Sequence, residues 1–150
     1  MKHDVNNNLA VTDYTLSNQA DTLSIVDEHK EFTTAQSSGR RCYLLFTNAP
    51  SDFRIELEVK FSNMGNVGLW GYNTDTGKYK QNENSSEWVY YRINKTSDAV
   101  TIQKSSDGLN WVNVTVSNYG SLDLSATQYR LLLTSVTGTT YFRNIKIYPI

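Results

Sequence analysis

Cysteine is nearly absent from this 150-residue chain. Cys42 stands alone, which excludes an internal disulfide framework and a cysteine zinc cluster, so stability has to come from packing. Histidine is almost as scarce: His3 and His29 are too few for a His-rich metal site and give poor support to a conventional Ser-His-Asp triad. The two prolines, Pro50 and Pro149, form no Pro-rich linker, and no internal repeat is visible. Neither sign of charge is in surplus. Lys and Arg number 14 against 15 Asp and Glu, a net charge of -1, which gives no electrostatic reason to expect nucleic acid or an anionic membrane. No apolar run nears the ~18 residues of a membrane span, so membrane insertion is not expected. The start, Met1 to Asp4 followed by Asn6, Asn7 and Asn8, lacks a hydrophobic signal core, and an export signal is expected to lie outside this sequence.

What the chain does have is 39% apolar and 12% aromatic residues, ten of them Tyr, enough to argue against disorder. Its length suits one domain over residues 1–150, with residues 1–10 expected to fray. Asn, Ser and Thr make up about three residues in ten, a bias that suits hairpin turns because short polar side chains bond to nearby backbone. The clearest segment is 53–61, where Phe53, Ile55, Leu57, Val59 and Phe61 alternate with Arg54, Glu56, Glu58 and Lys60. That period of two predicts a half-buried strand, since helical spacing would scatter the apolar residues around the cylinder. Asn63 to Asn66 reads as a turn into an extended segment 67–72. Further strands are predicted at 23–26, 42–46, 88–93, 100–104, 111–116, 129–135 and 141–148, and Asp107-Gly108 is a hairpin signal. Nine or ten short strands without helical crossovers predict an all-β fold, two antiparallel sheets packed as a β-sandwich.

The ordered combination Ser51-Asp-Phe-Arg-Ile-Glu-Leu-Glu-Val59, Val67-Gly-Leu69, Ser106-Asp-Gly-Leu-Asn-Trp111 and Tyr141-Phe-Arg-Asn-Ile-Lys-Ile147 resembles the concanavalin A-like lectin/glucanase superfamily over residues 37–150. The resemblance implies a jelly roll whose concave sheet binds a glycan, used by some members for recognition and by others for hydrolysis. Fold alone does not choose between the two. The superfamily's β-glucan-cleaving branch carries a Glu-x-Asp-x-x-Glu or Glu-x-Asp-x-Glu signature, which this sequence does not reproduce. Glu56 and Glu58 share a strand face about 7 Å apart, conceivable for a glycosidase pair. Arg54 and Lys60 beside them describe more simply a solvated face with cross-strand ion pairs.

Sugar rings have apolar faces and polar rims, so neutral glycans are held by aromatic platforms joined to amide, carboxylate or guanidinium groups. If Val67 and Leu69 point inward, Trp70 and Tyr72 point outward. If Val89, Tyr91 and Ile93 point inward, Trp88, Tyr90 and Arg92 point outward, and a register slip of one would reverse that choice. The predicted ligand-binding residues are therefore Trp70, Tyr72, Asn73, Tyr79, Trp88, Tyr90 and Arg92, with Asp75, Gln81 and Asn82 in a loop over 73–87 as further rim. The competing reading of these aromatics is core filling, and Trp111 is assigned to the core. Asn73 to Gly77 with Glu83 nearby faintly resembles an oxygen-rich calcium loop. No cofactor is expected, though structural calcium stays open because jelly-roll sugar binders often carry it. Cys42 beside Arg40 and Arg41 reads as an inert thiol more readily than a reactive one. Asn84, Asn94 and Asn113 start glycosylation patterns that arise by chance in such a chain.

These features predict a non-catalytic carbohydrate-binding module for a neutral polysaccharide or glycan, in a cell-surface, secreted or phage-tail protein, hence extracellular, at the cell surface or on a virion. The alternatives are an adhesion or structural jelly roll making protein contacts and, last, a small glycoside hydrolase using Glu56 and Glu58 or loop acids such as Asp75 and Glu87.

Overall fold

The computed structural model describes the backbone of residues 3–4, 14–16, 22–26, 29–34, 40–135 and 138–150, and the side chains of 43–61, 64–134 and 140–150. Twelve strands run along the described chain: β1 (His3–Asp4), β2 (Tyr14–Leu16), β3 (Thr22–Val26), β4 (His29–Thr34), β5 (Arg40–Phe46), β6 (Phe53–Gly71), β7 (Gly77–Lys95), β8 (Val100–Ser105), β9 (Val112–Val114), β10 (Ser117–Tyr119), β11 (Tyr129–Ser135) and β12 (Gly138–Pro149). Every ladder is antiparallel, and no helix occurs among the described residues.

Hydrogen bonds join all twelve strands into one sheet rather than the two expected, and that sheet doubles over to make the sandwich. The cause lies in β6 and β7, 19 residues each. Extended, each would reach about 60 Å, roughly three times a common strand, so the pair cannot stay flat over one small core. It bends where its register slips, three times between Val59 and Val67. Before the bend β6 pairs with β12; after it, residues 67–71 pair with β11. A front layer thus contains β12, the start of β6, the end of β7, β8 and β9. The back layer contains β5, β11, the end of β6, the start of β7 and β10. Between them lies one apolar cluster, in which Leu44, Phe46, Leu131 and Leu133 of the back layer meet Ile55, Leu57, Ile93, Ile102 and Ile147 of the front. At its loop end Phe46 meets Phe53 edge-on at 5.5 Å, and Tyr129 packs against both rings.

The turn expected at 63–66 and most of the loop expected at 73–87 are therefore strand, and only residues 72–76 join β6 to β7. Their turn-forming residues serve the bend instead. At Gly65 a Cβ would stand 2.2 Å from the Thr134 carbonyl oxygen and 2.5 Å from the Phe61 ring, so only glycine lets the crossing close. Asn66 donates its amide to Thr134 Oγ1 at 2.9 Å and accepts from the Asn82 amide at 3.1 Å, where Asn82 takes φ 62°. Of residues 1–10, expected to fray, His3–Asp4 are paired with β12 as β1, and the rest of that segment and the Cys42 side chain lie outside the described residues.

Glu83 is buried beside the bend. Its Oε1 accepts from Tyr91 Oη at 2.8 Å and from Lys104 Nζ at 3.3 Å, and Lys80 Nζ stands 3.4 Å from Oε2. Burial pushes the carboxyl up, but the Tyr91 hydroxyl and the two ammonium groups together outweigh it and hold Glu83 below its usual value of 4.5. A depressed folded-state value means stability that is present above the unfolded value and lost as pH falls through the folded one. Thermal unfolding from about pH 7 to about pH 3 should show a loss of Tm that begins near pH 5. Glu83→Gln should lower Tm at neutral pH and flatten that acid slope; parallel curves for the two proteins would remove Glu83 from the acid response.

Candidate functional site

On the outer surface of the front layer, β6 presents Arg54, Glu56, Glu58 and Lys60, because its alternate residues are spent on the core. In register beside them stand Asn94, Arg92 and Tyr90 of β7, and Tyr148, Lys146, Arg143 and Tyr141 of β12. The inward set at 88–93 is Val89, Tyr91 and Ile93, and the outward set Trp88, Tyr90 and Arg92. The outward rings do not lie bare. Two carboxylate–guanidinium–indole triads cross the face. Glu58 Oε1 accepts from Arg143 Nε and Nη2 at 3.1 and 3.0 Å, and that guanidinium lies 3.9 Å from the centre of the Trp88 ring. Arg92 Nη2 reaches Glu56 Oε2 at 3.5 Å, and its guanidinium lies 3.9 Å from the centre of the Trp111 ring. Lys60 Nζ adds a second cation 4.8 Å from the centre of Trp88. Tyr148 Oη donates to Glu56 Oε1, while a bulge in β12 with Asn144 at φ 55° brings Asn144 Nδ2 onto Glu58 Oε2.

Between the triads opens a cleft of about 230 Å³, lined by Glu56, Glu58, Tyr90, Trp111, Asn144 and Lys146. Its wall on the hairpin side is held by Asp107. That carboxylate accepts from the amides of Leu109 and Asn110 at 2.8 Å, from Asn110 Nδ2 at 2.7 Å and from Ser105 Oγ at 2.8 Å. The backbone and side-chain hydrogen bonds from Asn110 and Leu109 hold its carboxyl far below the usual range. The turn, with Gly108 at φ 77°, sets Gly108 against the Tyr90 ring and delivers Trp111 to the cleft. Trp111 is thus a surface residue and not the core residue its alternation suggested. The core-facing side of this hairpin is already taken by Ile102, and the cation it needs as a partner, Arg92, lies outside. Among the described residues neither Tyr90 Oη nor Trp111 Nε1 nor Lys146 Nζ spends a hydrogen on a protein partner, which leaves three donors at the cleft.

The predicted ligand-binding residues divide among three places. Tyr90 lines the front cleft, with Trp88 and Arg92 in its flanking triads. Trp70 and Tyr79 belong to the back layer, where Trp70 is 2% exposed in a separate cluster with Tyr43 and Leu132. Tyr119 stacks on Trp70 at 5.6 Å, and Trp70 Nε1 donates to Asp75 Oδ1 at 3.0 Å. Across the ladder Gly77 leaves room for the indole, since a Cβ there would stand 2.0 Å from its Cε3. Trp70 is therefore not the open sugar platform expected, because its outward face is covered by its own sheet's aromatics. Tyr72 and Asn73 fall at the loop end, beside neither group. One surface carrying Trp70, Tyr72, Trp88, Tyr90 and Arg92 does not form, because the fold places the two halves of β6 in different layers. Lys146 and Asn144 were missed. Lys146 looks like one more strand charge in sequence, and Asn144 reaches Glu58 only through the bulge.

Of the carboxylates suggested for hydrolysis or calcium, Glu87 is exposed on β7 and the other four have other duties. Glu58 has both oxygens engaged and Glu56 is shared by Tyr148 and Arg92, while Asp75 holds Trp70 and Glu83 is bound at the bend. Among the described residues no three Asp, Glu, His or Cys side chains gather as ligands for a metal.

No family model and no curated protein matches the chain in sequence. Solved structures do match it in shape. The basic winged bean lectin with Tn-antigen aligns over 98% of this chain and 97% of its own at TM-score 0.59 and 8% identity. The VIP36 exoplasmic/lumenal domain in its Ca2+/Man2-bound form aligns over 92% and 80% at TM-score 0.60 and 6% identity. This chain has the concanavalin A-like jelly-roll fold. A candidate glycosyl hydrolase from Parabacteroides distasonis shares it over 85% of this chain and 83% of its own, at TM-score 0.54 and 13% identity. Lectins and a hydrolase on one jelly-roll frame leave the choice between binding and cleavage to the side chains.

Urea unfolding should separate the two tryptophans. Trp70→Ala should cost about 3–5 kcal/mol as a buried aromatic truncation, and Gly77→Ala should also destabilise by displacing the indole. Trp111→Ala should cost about 1 kcal/mol, because it is half-buried and its main contact is a surface cation. The reverse ranking would contradict this division between core and site.

Proposed function

We propose that this chain is a non-catalytic carbohydrate-binding module that holds a neutral glycan in the front-layer cleft, within a cell-surface, secreted or phage-tail protein. The observation that carries this reading is the pairing of Tyr90 and Trp111, each with an unspent donor, above a floor of carboxylates already held in place. A sugar ring can lay its C–H face on the aromatic surfaces while its hydroxyl oxygens accept from Tyr90 Oη, Trp111 Nε1 and Lys146 Nζ. Glu56, whose Oε2 has only the long contact to Arg92, can accept from a hydroxyl in return. Arg92 occupies one face of Trp111 and Arg143 one face of Trp88, so both indoles are set before any ligand arrives, which lowers the ordering cost of binding. Arg92 and Arg143 beside the cleft are paired with Glu56 and Glu58, which leaves Lys146 as the one lining cation without a carboxylate partner among the described residues, a single donor rather than the cationic surface a polyanion needs. The sugar-bound neighbours of the same fold support the reading. Hydrolysis is disfavoured because Glu58 has no oxygen left to protonate a leaving group or attack a sugar.

A second reading, docking of a protein partner, draws on Leu109 and Val112, which are 81% and 57% exposed on the hairpin beside the cleft.

A glycan array followed by calorimetry on the best neutral ligand tests the proposal. Tyr90→Ala and Trp111→Ala should each weaken binding at least about tenfold, roughly 1.4 kcal/mol, with Glu56→Gln having a smaller effect and no reducing sugar released. Absence of retention on every glycan, together with a concentration-dependent dimer lost in Leu109→Ser, would replace this reading with the protein-contact one. Sugar release abolished by Glu56→Gln or Glu58→Gln would revive the hydrolase.

A further inference from the structure

The loop end of the sandwich holds a second and larger cleft of about 290 Å³, between residues 71–74 leading out of β6 and 122–129 leading into β11. It shares no lining residue with the front cleft. Its lining includes two amides, Asn73 and Gln128, two aliphatic hydroxyls, Thr74 and Thr127, one carboxylate, Asp123, and the phenols Tyr72 and Tyr129. Asp123 spends Oδ1 on the Ser125 amide and hydroxyl at 2.9 and 2.6 Å, leaving Oδ2 without a hydrogen-bond partner among the described residues. Among the described residues Asp123 is the one charged side chain that lines the cleft, and Lys95 beneath it offsets that charge in part, so the lining offers no surplus of cations to an anionic ligand. Donors and acceptors mixed at this density suit a ring bearing several hydroxyl groups, and the volume lies at the low end of ligand clefts, about 300 Å³, enough for a short saccharide.

Both walls are braced in advance. Arg130 ties the β6 side, donating from Nε to the Gly71 carbonyl at 2.6 Å and from Nη2 to the Thr74 carbonyl at 3.1 Å. The Gly71 amide closes the same loop on the Thr76 carbonyl at 2.8 Å, and the Trp70 indole holds Asp75 beside it. On the other wall the Ala49 amide donates to the Thr127 carbonyl at 2.9 Å, and Tyr129 Oη donates to the Asp123 carbonyl at 2.8 Å. These bonds hold both walls of the cleft in one shape before a ligand arrives.

We infer that this loop-end cleft is a second saccharide subsite, so that one chain engages glycan at two separate places; the inference rests on the glycan reading above and extends it to a bivalent module. Two sites on one rigid body raise the effective concentration of the second contact and favour repeating polysaccharides over their isolated units.

The test is an amide chemical-shift titration of the isotope-labelled full chain with methyl mannoside, lactose, N-acetylglucosamine and cellotetraose. Expected are two groups of shifts that saturate independently, one over residues 71–74 and 122–129, the other around Tyr90, Gly108, Trp111 and Asn144. Asn73→Ala, a change at an exposed side chain, and Gln128→Ala should each weaken the first group at least about tenfold and leave the second within about twofold; Tyr90→Ala should do the reverse. Shifts confined to the Tyr90 and Trp111 group would overturn the second subsite while the front-cleft reading stands. Shifts confined to the loop end would uphold this cleft and overturn the front one. Shifts in neither group would overturn both.

Discussion

The passage of β6 and β7 from one layer to the other is the constraint on which the rest of this molecule depends. Two strands of 19 residues supply parts of both layers, so the bend between Val59 and Val67 decides which outward side chains become neighbours. Gly65, Asn66 and Asn82 let the backbone turn there, and Glu83 with Tyr91 holds it. Outward residues on either side of that bend consequently end on opposite outsides of the sandwich. Trp70 is tucked under Tyr119 behind the sheet, while Glu56 and Glu58 stand in front of it.

The front face is built for fixed geometry more than for reactivity. Each glutamate is tied to an arginine, and each arginine lies against an indole. The part-exposed Glu56–Arg92 pair contributes modestly to stability, because water screens its charges, whereas Glu58 is buried and its link to Arg143 is screened less. The effect of both pairs is to hold rings and carboxylates at set positions without leaving a free acid. Under the proposed function, the hydroxyl groups of a saccharide would meet the donors left on Tyr90, Trp111 and Lys146.

The loop end follows the same logic by different means. Backbone carbonyls, not carboxylates, receive the arginine there, and the side chains left over are amides and hydroxyls. Beneath it Lys95 is buried with its ammonium on the Ser51 carbonyl at 2.6 Å and near the Phe53 and Tyr129 rings. Desolvation lowers its pKa against the pull of Asp52 and Asp123. A charged group in that position ties the β5–β6 connection to the end of β7, so the loops around the cleft rest on a shared support.

The strict alternation over 53–61 determined by itself that an antiparallel strand would put Phe53 to Phe61 inside and the charges outside, because period-two burial leaves few other solutions. Turn signals such as Asp107-Gly108 and the β-rich composition likewise determined an all-β sandwich, and Val89, Tyr91 and Ile93 went inward as their pattern implied. Only the tertiary structure decided that 63–66 and 77–87 are strand, that Trp70 is covered and that Trp111 is not. Local patterns report which face a side chain leaves from, but not what lies above that face. Covering Trp70 needed Tyr119 from β10, and drawing Trp111 out needed Arg92 from β7, partners tens of residues away that meet only once the long hairpin has folded over.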